Sequence, residues 1–132
     1  MAARPVLVVD DDADNRTLLE HLLSSMGYAV ATASDGREAL NCLAGLRPAV
    51  ILLDLEMPVM DSRTFRQRQL QLAASLRSIP VIVCSGSDEA DKLTDELRPF
   101  ASLSKPFPDH ARLLSHVEAA YQLSAEPALP AA

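Results

Sequence analysis

Apolar residues fall in two rhythms along this chain. Short unbroken runs rich in branched side chains alternate with longer stretches in which apolar residues return every three or four positions. The first run is Val6-Leu7-Val8-Val9. The most complete is Ala49-Val50-Ile51-Leu52-Leu53, which stops at Asp54. A third, Val81-Ile82-Val83-Cys84, follows Pro80. Runs this short and this continuous suit strands buried on both faces, as in a parallel sheet. Tyr28 to Ala33, partly alternating, and Ala101 to Ser104, less apolar, add two further strands.

Helical spacing fills the intervals. Leu18, Leu19, Leu22, Leu23 and Met26 mark a first helix, with Asp12 or Asp14 able to cap it and Gly27 just past its end. Ala39, Leu40, Leu43 and Leu46 mark a second, between the turn residues Ser34-Asp35-Gly36 and Pro48. A third is expected from a cap at Asp61 or Ser62, with Phe65, Leu72, Ala73 and Leu76 on one face. Its middle, Arg66-Gln67-Arg68-Gln69, is polar. Leu93 and Leu97 mark a fourth, which must stop before Arg98-Pro99 because a residue preceding proline disfavours the helical region. Asp109 is placed to cap a last helix carrying Leu113, Leu114, Val117, Ala120 and Tyr121. Repeated β-α alternation predicts an α/β fold, a doubly wound five-stranded parallel sheet with helices on both faces and right-handed crossovers. The domain is expected over residues 4–123. The Ala- and Pro-rich stretch 124–132 is expected to be a disordered tail or the stub of a linker.

Composition narrows the function classes. A length of 132 residues suits one core, and 48% hydrophobic residues is ordinary for a globular chain. The net charge of −6, from 18 acidic and 12 basic residues without a Lys/Arg run, argues against direct nucleic-acid binding. Cys42 and Cys84 lack any disulfide or metal spacing, which points to a reduced, cytoplasmic setting. No apolar run approaches the ~18–20 residues that span a bilayer, so no membrane association is expected. Met1 to Pro5 lacks the apolar stretch of a signal peptide.

The chemistry gathers at the strand ends. Asp10-Asp11-Asp12, Asp54, Ser85 and Lys105 each stand where an expected strand finishes. In an open α/β sheet, ligands bind outside that carboxyl edge. A lone aspartate there would be a turn residue. Several converging carboxylates repel one another and need a cation, and hard oxygen ligands suit Mg²⁺. A lysine and a hydroxyl beside them supply a positive charge and a donor, as a phosphoryl group requires. A carboxylate can itself be the nucleophile and form an aspartyl-phosphate.

In this order, the motifs resemble those of response-regulator receiver domains of two-component signalling, from about Arg4 to about Leu123. The resemblance rests on Val8-Val9-Asp10-Asp11-Asp12, on Leu53-Asp54-Leu55-Glu56-Met57-Pro58-Val59-Met60-Asp61, on Ser85, and on Lys105-Pro106-Phe107. It implies a flavodoxin-like sheet of order 2-1-3-4-5. It implies that Asp54 takes a phosphoryl group from a phosphohistidine on a histidine kinase or phosphotransfer protein. Mg²⁺ would be held by Asp10, Asp11, Asp54 and the backbone carbonyl of Glu56. Ser85 would donate to the phosphoryl group, Lys105 would pair with Asp54 or its phosphate, and the Lys105–Pro106 peptide would be cis. Asp12 is expected to start the helix rather than bind metal. The phosphorylated domain would switch a surface, around the fourth helix and fifth strand, that a downstream protein reads.

Three positions depart from the family pattern. Ser62 stands where glycine is usual, and would be strained if that position needed positive φ. Ser102 stands where many members carry a switch aromatic, and Phe100 is the nearest candidate to replace it. Ser85 replaces threonine and keeps the hydroxyl. His21, His110 and His116 are expected at the surface or its boundary, and Tyr121 in packing. Glu56 and Ser87 are expected to tune water access to the acyl phosphate. No output domain is expected here, which fits a stand-alone receiver or one part of a hybrid kinase.

Two other function classes compete. A receiver-like interaction module would never be phosphorylated, but the intact Asp10, Asp11, Asp54, Ser85 and Lys105 set argues against it. Asp10-x-Asp12 also resembles haloacid-dehalogenase-type phosphatases, with Asp10 as nucleophile. That reading leaves Asp54 idle and the chain no room for a cap domain. The chain is therefore expected not to be an enzyme beyond catalysing its own phosphorylation and dephosphorylation.

Overall fold

A computed structural model describes residues 4–55, 59–86, 97–104 and 110–125, with the side chains of 59–61, 85, 104 and 124–125 outside the description. The elements run β1 (Val6–Val9), α1 (Ala13–Ser25), β2 (Val30–Ala33), α2 (Gly36–Leu46), β3 (Val50–Asp54), α3 (Val59–Leu70), α4 (Ala74–Arg77), β4 (Val81–Ser85), β5 (Ala101–Ser104) and α5 (His110–Ala125). The strands form one parallel sheet of order β2-β1-β3-β4-β5, as expected.

Alternate strand residues feed two cores, one on each face. Leu7, Val9, Ile51, Leu53, Val81 and Val83 pack against Ala39 and Leu43 of α2 and Phe65 of α3. Val6, Val8, Val50, Leu52 and Ile82 pack against Leu19 and Leu23 of α1 and Leu113, Val117 and Ala120 of α5. Burying each large aliphatic side chain contributes about 1.5–3 kcal/mol. This is why the strand sequences are continuously apolar rather than alternating.

Local chemistry sets the helix ends. Asp12 caps α1, its carboxylate accepting from the Asp14 and Asn15 amides at 2.9 and 3.4 Å. Gly27, at φ +95°, takes the left-handed position after the C-cap. Asp35 proves to be the N-cap of α2, accepting from the Glu38 amide, and Glu38 reaches back to the Ser34 amide. Arg47 closes α2 at φ 47°. Leu97 is helical and Arg98 is not, as the following proline dictates. Leu93 and the Asp109 cap lie outside the described residues, as does most of the 124–132 tail.

Several expectations need correction. The third helix begins at Val59, so Asp61 and Ser62 lie inside it rather than at its cap. It ends at Leu70, where the Gln71 and Leu72 amides tighten onto Arg68 and Gln69 carbonyls three residues back. Leu72, Ala73 and Leu76 are therefore not on that helix; Leu76 lies in α4, and Ala73 precedes it exposed. Leu72 and Leu76 still pack on the core. Ser62 is helical and not at positive φ, so the feared strain is absent. Leu18 and Met26 are exposed, because α1 buries the narrow stripe Leu19 and Leu23, and Met26 lies past the last turn. Strand β2 starts at Val30, two residues after Tyr28.

Tyr121 packs as expected, with its ring 5.3 Å from that of Tyr28 and its hydroxyl donating to the Arg4 carbonyl. Gln69 of α3 is fully buried, and its amide donates to the Leu76 and Ile79 carbonyls at 3.1 and 3.2 Å. Gln69→Leu is expected to remove both bonds and the acceptor of Arg66 Nη1, and to cost about 2 kcal/mol, measured as a lower midpoint in urea unfolding.

Candidate functional site

The sheet register assembles the acidic edge. Val9 pairs with Leu53, so the next residues, Asp10 and Asp54, stand side by side where β1 and β3 end. Asp54 pairs across with Cys84 of β4, and the Leu55 amide donates to the Cys84 carbonyl at 2.8 Å, holding the chain as it leaves the sheet. The Asp10 carboxylate accepts from the Asp12 amide at 2.9 Å. The Arg16 guanidinium donates to the Asp10 carbonyl at 2.7 Å. These two bonds fold the chain sharply between β1 and α1, leaving Asp11 exposed beside the edge.

One carboxylate oxygen from each of Asp10, Asp11 and Asp54 lies within 4.8 Å of the others. Asp10 and Asp54 are only 2% and 3% exposed, so water screens them poorly. Two like charges about 4 Å apart repel by roughly 4 kcal/mol at an effective dielectric of about 20. Three acidic groups held this close, two of them shielded, form a donor set of hard oxygens. That set fits Mg²⁺, which accepts a few protein oxygens and keeps waters on the rest of its shell.

Of the expected site residues, the structure brings Asp10, Asp11 and Asp54 together. Ser85 is the last residue of β4 and pairs with Ser104 of β5, one step beyond the Asp54–Cys84 level; its side chain is outside the description. Glu56, Ser87 and Lys105, with the Lys105–Pro106 peptide, lie outside the described residues. Asp12 is a helix cap, as expected. His21 and His110 are exposed and His116 half-buried. Phe100 is exposed, as is Ser102.

Two supports escaped the sequence pattern. Ser62, buried in α3, donates its hydroxyl to the Asp54 carbonyl at 3.1 Å. Arg16 secures the Asp10 main chain. Both lie a helical turn into the element that follows their aspartate, a placement that apolar periodicity does not signal. Away from the edge, burial and then Glu38 push the Cys42 thiol above its ordinary value, so it is a poor nucleophile at neutral pH.

A five-stranded parallel sheet of order 2-1-3-4-5, with an acidic cluster where its first and third strands end, defines a flavodoxin-like domain with a donor set for a cation at its carboxyl edge. The sequence matches the family described as "Response regulator receiver domain" over residues 6–118; the chain belongs to that family. It is 40% identical over 104 residues to a probable transcriptional regulator, ycf27, of Guillardia theta, covering 77% of this chain and 39% of that protein. It is 39% identical over 101 residues to the sensor histidine kinase RcsC of Escherichia coli, covering 76% of this chain and 10% of that one. The chain thus spans well under half of these relatives. Among solved structures it is similar to chemotaxis protein CheY4 of Vibrio cholerae, with a TM-score of 0.76, 32% identity, and coverage of 90% and 99% of the two chains. It is also similar to a receiver domain of a signal transduction histidine kinase from Syntrophus aciditrophicus, with a TM-score of 0.82, 28% identity and 94% coverage of each.

Relieving the crowding should be measurable. Without divalent ions, Asp54→Asn is expected to raise stability by about 1 kcal/mol, read by urea unfolding in EDTA, and added Mg²⁺ should narrow that difference. Asp11→Ala is expected to weaken Mg²⁺ binding by about tenfold, since it removes one of few protein oxygens, as followed by calorimetric titration.

Proposed function

We propose that this domain is a phosphorylated switch in a two-component relay, with Asp54 as phosphoacceptor. The observation that carries the reading is the placement of Asp54, buried at the carboxyl end of the central strand and level with Asp10. The phosphoryl donor is a phosphohistidine on a histidine kinase or phosphotransfer protein. One Asp54 carboxylate oxygen attacks phosphorus; the P–O bond forms as the P–N bond breaks, and the imidazole nitrogen leaves with the electron pair. Mg²⁺, when bound, offsets the negative charge that the phosphoryl oxygens carry through the transfer. Asp10 and Asp11 hold that cation together with Asp54 and the Glu56 carbonyl. The Ser85 hydroxyl donates to a phosphoryl oxygen, and Lys105 supplies the remaining positive charge.

In this reading the domain catalyses only its own phosphorylation and dephosphorylation and turns over no separate substrate. The added group brings about −1.5 to −2 charge, and the surface it alters is read by a downstream protein. The proposed setting is the cytoplasm; among the described residues no helix is long and apolar enough to cross a membrane. Relatives that include a transcriptional regulator and a sensor histidine kinase support a module that serves more than one kind of whole protein. The phosphatase alternative is disfavoured because it leaves Asp54, buried beside Asp10, without a role.

Incubation with acetyl phosphate and Mg²⁺ is expected to add one phosphate by intact mass, and Asp54→Asn to abolish the addition. An adduct that persists in the variant, or none on the folded wild type with either acetyl phosphate or a phosphorylated histidine kinase, would overturn the assignment.

A further inference from the structure

A buried face of α3 is polar at three successive levels. Ser62, Arg66 and Gln69 follow one another four and three residues apart, the spacing of one helix face, and all three are buried. At the first level, the Ser62 hydroxyl donates to the Asp54 carbonyl at 3.1 Å. One turn on, the Arg66 fork donates to the Leu97 carbonyl at 2.7 Å and to the Arg98 carbonyl at 2.9 Å. Its remaining nitrogen donates to Gln69 Oε1 at 2.7 Å. Gln69 in turn fastens the stripe to the Leu76 and Ile79 carbonyls.

Arg66 is an unusual anchor. It is 8% exposed, and its partners among the described residues are neutral oxygens rather than a carboxylate. Burial lowers its pKa, though a guanidinium starts so high that it stays charged. A buried cation held by carbonyls is secure only while those carbonyls stay in place. Their placement is itself strained. Arg98 stands at φ 51° directly before Pro99, a left-handed conformation in a non-glycine residue that proline restricts further. Such strain persists only where surrounding contacts impose it, and the Arg66 fork is one such contact. Just beyond the turn, the Phe100 amide donates to the Val81 carbonyl at 2.7 Å and opens β5. The Phe100 side chain is 40% exposed.

We propose that Arg66 couples Asp54 to the Leu97–Phe100 turn, with α3 as the connecting lever and Ser62 as its attachment to Asp54. This rests on Asp54 being the phosphoacceptor. Phosphate on Asp54 displaces its main chain, Ser62 carries the displacement into α3, and the Arg66 fork passes it to the Leu97 and Arg98 carbonyls. The turn has two conformations available: the left-handed one that the fork imposes, and the extended one that a residue before proline prefers. Release into the second repositions Phe100 and the start of β5. A local charge thereby reaches the start of β5 through a rigid element.

The test is amide hydrogen exchange by mass spectrometry on the full chain, with and without acetyl phosphate and Mg²⁺. Wild type, Ser62→Ala and Arg66→Met are compared at matched phosphate occupancy, set by intact mass, after circular dichroism has verified folding. In wild type, phosphate is expected to change exchange across residues 100–104 by threefold or more. In both variants that phosphate-dependent difference should fall below about twofold. Lost stability alone would raise exchange with and without phosphate alike and leave the difference in place. Should Arg66→Met fail to fold, Ser62→Ala decides, since it removes a single hydroxyl. A full difference retained in the folded variants, or no difference in phosphorylated wild type, overturns the coupling while leaving the phosphoacceptor standing. No phosphate uptake by wild type overturns both.

Discussion

Everything at the working edge follows from crowding three carboxylates into a space where water cannot separate them. The repulsion among Asp10, Asp11 and Asp54 disfavours the folded state, and the sheet opposes it with buried apolar area on both faces. The backbone is correspondingly well secured at this edge. The Asp12 amide and Arg16 hold Asp10, while Ser62 and the Leu55–Cys84 bond hold the chain at Asp54. Ligands held in this way let a cation bind with little reorganisation of the carboxylates.

The two layers of helices divide the labour. On one face, α1 and α5 close over the sheet with almost wholly apolar contacts. On the other, α2 and α3 cover an equally apolar sheet surface, and α3 also donates side-chain hydrogen bonds to the end of β3, to the Leu97–Arg98 turn and to the α4 region. Hydrogen bonds are directional where apolar contacts are not. Ser62 of α3 and Arg16 of α1 thus fix one helix of each layer to a strand end.

Much of this was legible in the chain itself. Continuous runs such as Val50 to Leu53 announced two-sided burial, and β-α alternation announced a parallel sheet. The acidic cluster followed from where those runs stopped. What periodicity missed were polar residues inside buried faces. Arg66 and Gln69 made the third helix look solvent-facing in its middle, yet they are buried because main-chain carbonyls await them. Those partners lie 7 to 32 residues away in sequence, beyond the reach of helical periodicity. The same blindness placed the start of α3 too late and ran the helix through Leu72. At Ser62, a side chain that looked like a misfit for glycine turned out to sit in ordinary helix with a partner of its own.

The order of the strands also bears on how the chain comes together in time. Strand β1 lies between β2 and β3, so its two ladders close once residue 54 has joined the sheet. Asp10, Asp11 and Asp54 all belong to that first section, whereas β4 and β5 pair later in the chain. Parallel pairing closes long loops before any contact repays them, which makes it slow. The anionic cluster draws its three carboxylates from the first 54 residues alone. A divalent ion bound there would tie β1 to β3 and so add to the hold on the two strands that the sheet is built around.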